Sequence, residues 1–286
     1  MKLIELIERS AARFEGAGVC CAQGTTNAFD EAAWLVLWRL KLPLDALDEH
    51  AEQDIGDADE AAVEALITQR IETRRPAAYL TGEAWLQGVP FTVDERVIIP
   101  RSLIAEPLVE GTLDAWMRKP PRTVLDLCTG SACLAVLAAQ AWPDAAVQGT
   151  DLSADALAVA RINIERHGLA PRIALRQGDG LTAARGRFDL ILCNPPYVNA
   201  QSMAALPPEF LAEPALALAG GEDGMSFIRG LLAGVRRHLN DTGILVLEIG
   251  NEREHFEAAF PGMQVVWLST SAGDDQVLLI EAGDLT

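Results

Sequence analysis

An α/β fold preceded by a small helical domain is what this sequence predicts, and three observations predict it. From Thr123 onward, short apolar runs suited to buried strands alternate with segments of helical period. The first 75 or so residues carry helical period only, until Pro76 interrupts it. Two last apolar runs, Gln264 to Ser269 and Gln276 to Glu281, flank a short Gly-Asp turn, which forces them to run antiparallel.

The elements follow in order. Leu3, Ile4, Leu6 and Ile7 open an amphipathic helix, and Ala32, Ala33, Leu35, Val36, Trp38, Leu40 and Leu42 continue the pattern until Pro43 stops it. Glu60 to Arg75 is a further helix with Ala61, Val63, Leu66, Ile67 and Ile71 as its apolar side. Between these helices, Asp45 to Glu64 holds nine carboxylates and no Lys or Arg, the mark of a solvated, partly irregular face. Residues 79–99 read as a β-hairpin broken by Gly82, Gly88 and Pro90, followed by a helix from Ser102 to Met117 and a hinge at Lys119 to Arg122. Strands are expected at Thr123–Leu127, Ala146–Thr150, Arg172–Gln177, Phe188–Cys193 and Ile244–Ile249, before the closing pair. Helices are expected at Cys133–Ala141, Ala154–His167, Gly224–Leu239 and Glu252–Phe260. Such βαβ repetition makes a parallel sheet covered on both faces. The sum is a seven-stranded Rossmann-like sheet with its last strand antiparallel. The expected division is 1–76 helical, 77–121 hairpin and linker, and 122–286 sheet domain.

Composition bounds the function. No run of 18 apolar residues exists to span a membrane, and charged residues interrupt the N-terminus where a signal peptide would be apolar, so a cytoplasmic protein is expected. The five cysteines form no Cys-x-x-Cys pair, so neither a metal site nor a disulfide framework is expected. The net charge of −18 argues against free nucleic acid as a partner, because phosphate binding needs a basic patch. It suits a basic protein partner, and it equally suits simple solubility.

In an open α/β sheet the ligand sits beyond the carboxyl ends of the strands. The first strand there ends in Asp126-Leu127-Cys128-Thr129-Gly130-Ser131-Ala132-Cys133, and the second reaches Asp151, 25 residues after Asp126. A carboxylate at the second position can accept hydrogen bonds from ribose hydroxyls. The loop lacks the glycines of a pyrophosphate site, since Cys128 and Ala132 stand where glycines would. S-adenosylmethionine, which has no phosphate and carries a sulfonium and an ammonium, needs acceptors such as Asp126. The loop alone is also compatible with an ordinary strand-to-helix turn. Asp179 and Gly180, after the third strand, offer an acceptor for an adenine amine, and a plain surface turn reads the same way.

The fourth strand runs into Asn194-Pro195-Pro196-Tyr197, which decides the chemistry. Prolines have no N–H, so this corner offers carbonyl acceptors on a stiff frame. The Asn194 side-chain carbonyl and the Pro195 carbonyl can hold both hydrogens of an –NH2 group, and Tyr197 supplies a flat wall for a planar amide or base. Two acceptors raise the electron density of a poorly nucleophilic amide nitrogen and aim it at a methyl donor, with no tuned side-chain base required.

With these residues in view, the chain resembles the protein-(glutamine-N5) methyltransferases. Pro76 to Trp85, Val97 to Glu106, Asp126 to Ser131 and Glu213 to Leu218 are similar to the branch that methylates a large-subunit ribosomal protein, the one numbered three. The other branch methylates peptide release factors and more often has Pro-Arg-Pro after the hairpin, where this chain has Pro100-Arg101-Ser102. The resemblance implies a seven-stranded S-adenosylmethionine methyltransferase sheet. Cys128, Thr129, Gly130 and Ala132 would line the methionine part of the cofactor and Asp151 the ribose. Asp179 and Gly180 would take the adenine side, and Asn194 to Tyr197, with Arg101, the target glutamine. The helical domain would choose the protein substrate. One departure is Ala132, where the family loop usually has glycine; its methyl could crowd the cofactor. The rivals are release-factor methylation, amino methylation of a nucleic-acid base, and an inactive cofactor-binding assembly protein.

Overall fold

The computed structural model describes residues 1–285. The chain divides into two compact units, one made of residues 1–84 with 206–213 and one of residues 85–205 with 214–286.

The first unit is helical: α1 Leu3–Gly16, α2 Ala28–Leu40, α3 Leu47–His50, α4 Asp57–Thr73 and α5 Ala77–Thr81. Leu3, Leu6, Ile7 and Phe14 recur at helical spacing on α1 and pack with Leu35 and Val36 of α2 and Val63 and Ile67 of α4. The Asn27 side chain caps α2 by accepting from the Asp30 N–H. Arg9 pairs with Glu60 and Glu64 at 2.9 and 2.6 Å, and Arg13 also bonds Glu64. The acidic run is therefore less irregular than expected. It holds α3 and the start of α4, and it buries Ala46 and Ile55. Three of its carboxylates, Asp54, Glu60 and Glu64, are ion-paired. Inside this unit the Arg70 guanidinium is buried between two buried carboxylates, Glu31 at 2.7 Å and Glu209 at 3.7 Å.

The chain passes from the first unit into the second within a hairpin, β1 Glu83–Leu86 and β2 Val89–Thr92. The hairpin starts later than expected, because Pro76 begins the short helix α5 and Gly82 ends it. The long helix expected over 102–117 breaks in two. Only α6, Ala105–Val109, is α-helical, Gly111 ends it at φ 76, and a 3-10 turn covers Thr112–Trp116. Then come β3 Thr123–Leu127, α7 Cys133–Ala141, β4 Ala146–Asp151, α8 Ala154–Arg166, β5 Ile173–Gln177 and β6 Phe188–Cys193. They are followed by α9 Ala200–Ala204, α10 Ser226–Gly234, β7 Leu239–Glu248, α11 Arg253–Ala259, β8 Val266–Thr270 and β9 Gly273–Glu281. α10 is shorter than expected, and β7 starts five residues earlier than the apolar run that announced it.

The seven large-sheet strands take the order β5-β4-β3-β6-β7-β9-β8. The first five are parallel, and β9 runs antiparallel to both β7 and β8. Val124, Leu125, Leu190 to Cys193 and Ile244 to Leu247 are buried, which is why the middle strands read as unbroken apolar runs. Strand order reverses between β3 and β6, so the crevice lies above these two strands.

Candidate active site

Register brings the expected site residues to one level. Leu127 of β3 pairs with Thr150 of β4 and with Cys193 of β6. The next residue of each strand, Cys128, Asp151 and Asn194, therefore emerges side by side at the carboxyl edge. Asp151 pairs in turn with Gln177, two residues before Asp179.

The loop after β3 is wound tightly. Cys128, Gly130 and Ala132 all have left-handed backbone, at φ 62, 54 and 65. Its N–H groups are held by the neighbouring strand: Thr129 donates to the Thr150 carbonyl and Gly130 to the Asp151 carboxylate, both at 2.9 Å. Asp151 also accepts from the Ser153 N–H, so its carboxylate is fixed while remaining half-buried. Asp126 is buried, and its Oδ2 accepts the Thr129 hydroxyl at 2.5 Å and the Ala135 N–H at 2.9 Å. It thus staples the loop to the start of α7. Ala132 is the N-cap of α7 and is wholly buried. Asp179 is exposed, with its carbonyl holding Thr182, and the Phe227 ring lies beside Gly180, 3.6 Å from where a Cβ would stand.

After β6, Pro195 is buried, and Asn194, Pro196 and Tyr197 are half-buried. Among the described residues, neither the Asn194 side chain nor the Pro195 carbonyl has a hydrogen-bond partner. Both acceptors are free for a ligand. The Tyr197 hydroxyl donates to Glu248 at 3.1 Å. Arg101 turns back to the Ile99 carbonyl at 3.2 Å.

The electrostatics suit a cation. Burial pushes the Asp126 carboxyl up to about 7 and raises Asp151 above its ordinary value. No Lys or Arg occurs in 126–133, 151–153, 178–180 or 194–197 to relieve them. A phosphate would be repelled here, whereas a sulfonium and an ammonium would offset the uncompensated charge. Leu152, 49% exposed beside Asp151, and the Phe227 ring add apolar surface for a base. The residues present therefore fit S-adenosylmethionine.

Sequence reasoning missed three supports. Asn163 of α8 is fully buried, bonds both the N–H and the carbonyl of Thr92, and donates to the Ser131 carbonyl of the loop. Its signal was a polar residue on the apolar side of a helix. Glu248 ends an apolar strand as a buried carboxylate. Glu252, also buried, accepts from the Asn199 side chain at 2.7 Å just past the Asn194 corner.

Comparison with known proteins gives the family. The methyltransferase small domain family model covers residues 111–228. The ribosomal protein uL3 glutamine methyltransferase of Bordetella pertussis is 52% identical over 97% of this chain and 94% of its own length. The Burkholderia pseudomallei protein of that name is 51% identical over 98% and 94%, and that of Neisseria gonorrhoeae 45% over 96% and 93%. No helix of the described residues is long and apolar enough to cross a membrane. The chain is an S-adenosylmethionine-dependent methyltransferase and belongs to the family of the ribosomal protein uL3 glutamine methyltransferases.

Proposed function

We propose that this enzyme methylates the side-chain amide nitrogen, N5, of a glutamine in ribosomal protein uL3. The observation that carries the reading is the pair of free acceptors at Asn194 and Pro195, on a corner stiffened by two prolines. The amide lone pair is delocalised into its carbonyl and attacks poorly. Two acceptors on its hydrogens return electron density to nitrogen and fix its orientation, while the Tyr197 ring holds the amide plane. Holding the reacting atoms near attack distance contributes about 7–11 kcal/mol to lowering a barrier. No side-chain base is needed, because an alkylated amide nitrogen is acidic enough to lose its proton to water.

S-adenosylmethionine, when bound, supplies the electrophilic methyl group. Asp151 accepts from its ribose hydroxyls, and Cys128, Thr129, Gly130 and Ala132 line its methionine part around Asp126. Asp179 and Gly180 face its adenine. Pro196 and Arg101 flank the incoming glutamine, and the helical unit selects the protein that carries it. The names of the three relatives support uL3 over a peptide release factor, which the same chemistry would serve.

The test is incubation with labelled cofactor and, separately, purified uL3, release factor and nucleic acid. Label is expected on a glutamine of uL3, and label on another substrate alone would replace it. Asn194→Ala is expected to lower single-turnover transfer by about 10²-fold or more with cofactor affinity changed far less. Near-normal transfer by that variant would remove the amide-activation mechanism.

A further inference from the structure

We propose that Glu248 is a positioning residue for Tyr197, fixing the ring against which the substrate amide stacks; the substrate half of this rests on the glutamine reading above. Leu247 of β7 pairs with Cys193 of β6, so Glu248 emerges at the carboxyl edge beside Asn194. It is 2% exposed. Its two oxygens divide their work. Oε2 accepts the Ser102 hydroxyl at 2.6 Å and the Leu103 N–H at 3.0 Å, and Oε1 accepts the Tyr197 hydroxyl at 3.1 Å. The carboxylate thereby joins the turn after Pro100-Arg101 to the aromatic wall of the substrate corner.

Burying a carboxylate is costly, and burial raises the Glu248 carboxyl above its ordinary value. A neutral acceptor would hold the Ser102–Leu103 turn at lower cost. What that would forgo is a second acceptor pointed at Tyr197. The backbone at Gly250 leaves the ring little room. At Gly250, φ +54, a Cβ would stand 2.5 Å from Tyr197 Cε2 and 3.0 Å from its Cζ. Glycine there lets the chain press against the ring, and the Glu248 bond fixes where the hydroxyl end points.

The chain has two tyrosines, Tyr79 in α5 and Tyr197, so 3-fluorotyrosine gives two fluorine resonances. Tyr197→Phe assigns them by deleting one. In Glu248→Ala the Tyr197 resonance should move and report faster ring motion, with Tyr79 unchanged; Glu248→Gln, whose amide N–H can donate back to the Tyr197 oxygen, should restore the slower motion. With uL3 as substrate, Tyr197→Phe and Glu248→Ala should each raise KM about tenfold, with kcat and cofactor affinity little changed. The double variant should be no worse than either single one. Tyr197→Phe removes only a hydroxyl, so the kinetic test survives if the Glu248 variants fold poorly. An unmoved Tyr197 resonance in folded Glu248→Ala, an unchanged KM in Tyr197→Phe, or additive losses would each overturn the proposal. The fluorine readout needs no substrate, so a chain that leaves uL3 unmodified would overturn the substrate assignment while the ring measurement still decided the role of Glu248.

Discussion

Asp126 takes a carboxyl group into the interior beside two donors, Thr129 and Ala135, and among the described residues no cation is bonded to it. Burial lifts its carboxyl to about 7 from an ordinary 3.8. Between those values the folded chain holds a proton that the unfolded chain has released, so this residue lowers stability as pH rises from about 4 to about 7. Asp126→Asn can keep both acceptor bonds through its carbonyl and carries no charge. In urea unfolding of the ligand-free protein, its stability relative to the parent should improve between pH 5 and pH 7.5. A difference that does not change with pH would show that Asp126 ionises freely in the fold. Ala132 poses a quantitative question of another kind. Its left-handed backbone costs about 1–2 kcal/mol for a residue with a side chain. Replacement by glycine relieves that, but loses a buried methyl worth about 0.8 kcal/mol and adds about 0.5–1 kcal/mol of backbone entropy. These nearly cancel. Ala132→Gly should match the parent within about 1 kcal/mol, the margin of that cancellation, and bind S-adenosylmethionine equally well or better by calorimetry. A clear loss of affinity would mean that the buried methyl shapes the loop.

At the scale of elements, β3, α7 and β6 were legible to the residue because each is an apolar run with sharp ends. The Asn194 corner was legible too, as a motif at a strand end. The segment from Ala200 to Ala217 was not. It is one short helix and two 3-10 turns, α9, Pro208–Ala212 and Ala215–Ala217, and such pieces have no period to read. Its destination is set by long-range pairing. The Val198–Ala219 bridge closes the excursion at its base, and residues 206–213 join the helical unit through Glu209. Glu209 accepts from the Cys20 N–H at 3.2 Å and from Arg74 at 3.3 Å, and stands 3.7 Å from Arg70. Glu248 and Asn163 escaped notice for the same reason, since a polar residue in an apolar element declares its role only when its neighbours are known. Glu209→Ala would leave Arg70 buried with one carboxylate where it had two. Breaking a buried pair in this way costs about 3–5 kcal/mol. Denaturant unfolding should show a loss of that order, with Glu209→Gln losing less because its amide oxygen still accepts from Cys20 and Arg74. A loss below 1 kcal/mol in Glu209→Ala would mean that water enters and replaces the carboxylate.

The whole molecule carries a net charge of −18, and its distribution bears on the proposed substrate. In the helical unit, Asp45, Asp48, Glu49, Glu52, Asp57 and Asp59 are exposed, and among the described residues none of them forms an ion pair. The other three carboxylates of the same run are already paired with Lys2, Arg9 and Arg13. Six uncompensated charges within fifteen residues set up a field that a basic ribosomal protein would feel beyond contact range. Fields of this kind raise association rates by about 10–10³-fold at low salt. The Debye length shortens from about 30 Å at 0.01 M salt to about 10 Å at 0.1 M, so the gain should fade over that interval. Stopped-flow association of the enzyme with uL3 should slow steeply as salt is raised, while dissociation changes much less. Asp48→Asn, Glu49→Gln and Glu52→Gln together remove half of the uncompensated charge and touch none of the ion pairs that hold α1 to α4. The triple variant should associate more slowly at low salt, converge with the parent at high salt, and keep its single-turnover transfer rate once substrate is saturating. If its salt dependence matches that of the parent, the run is a solvated face, and the basic substrate is steered from elsewhere on the molecule.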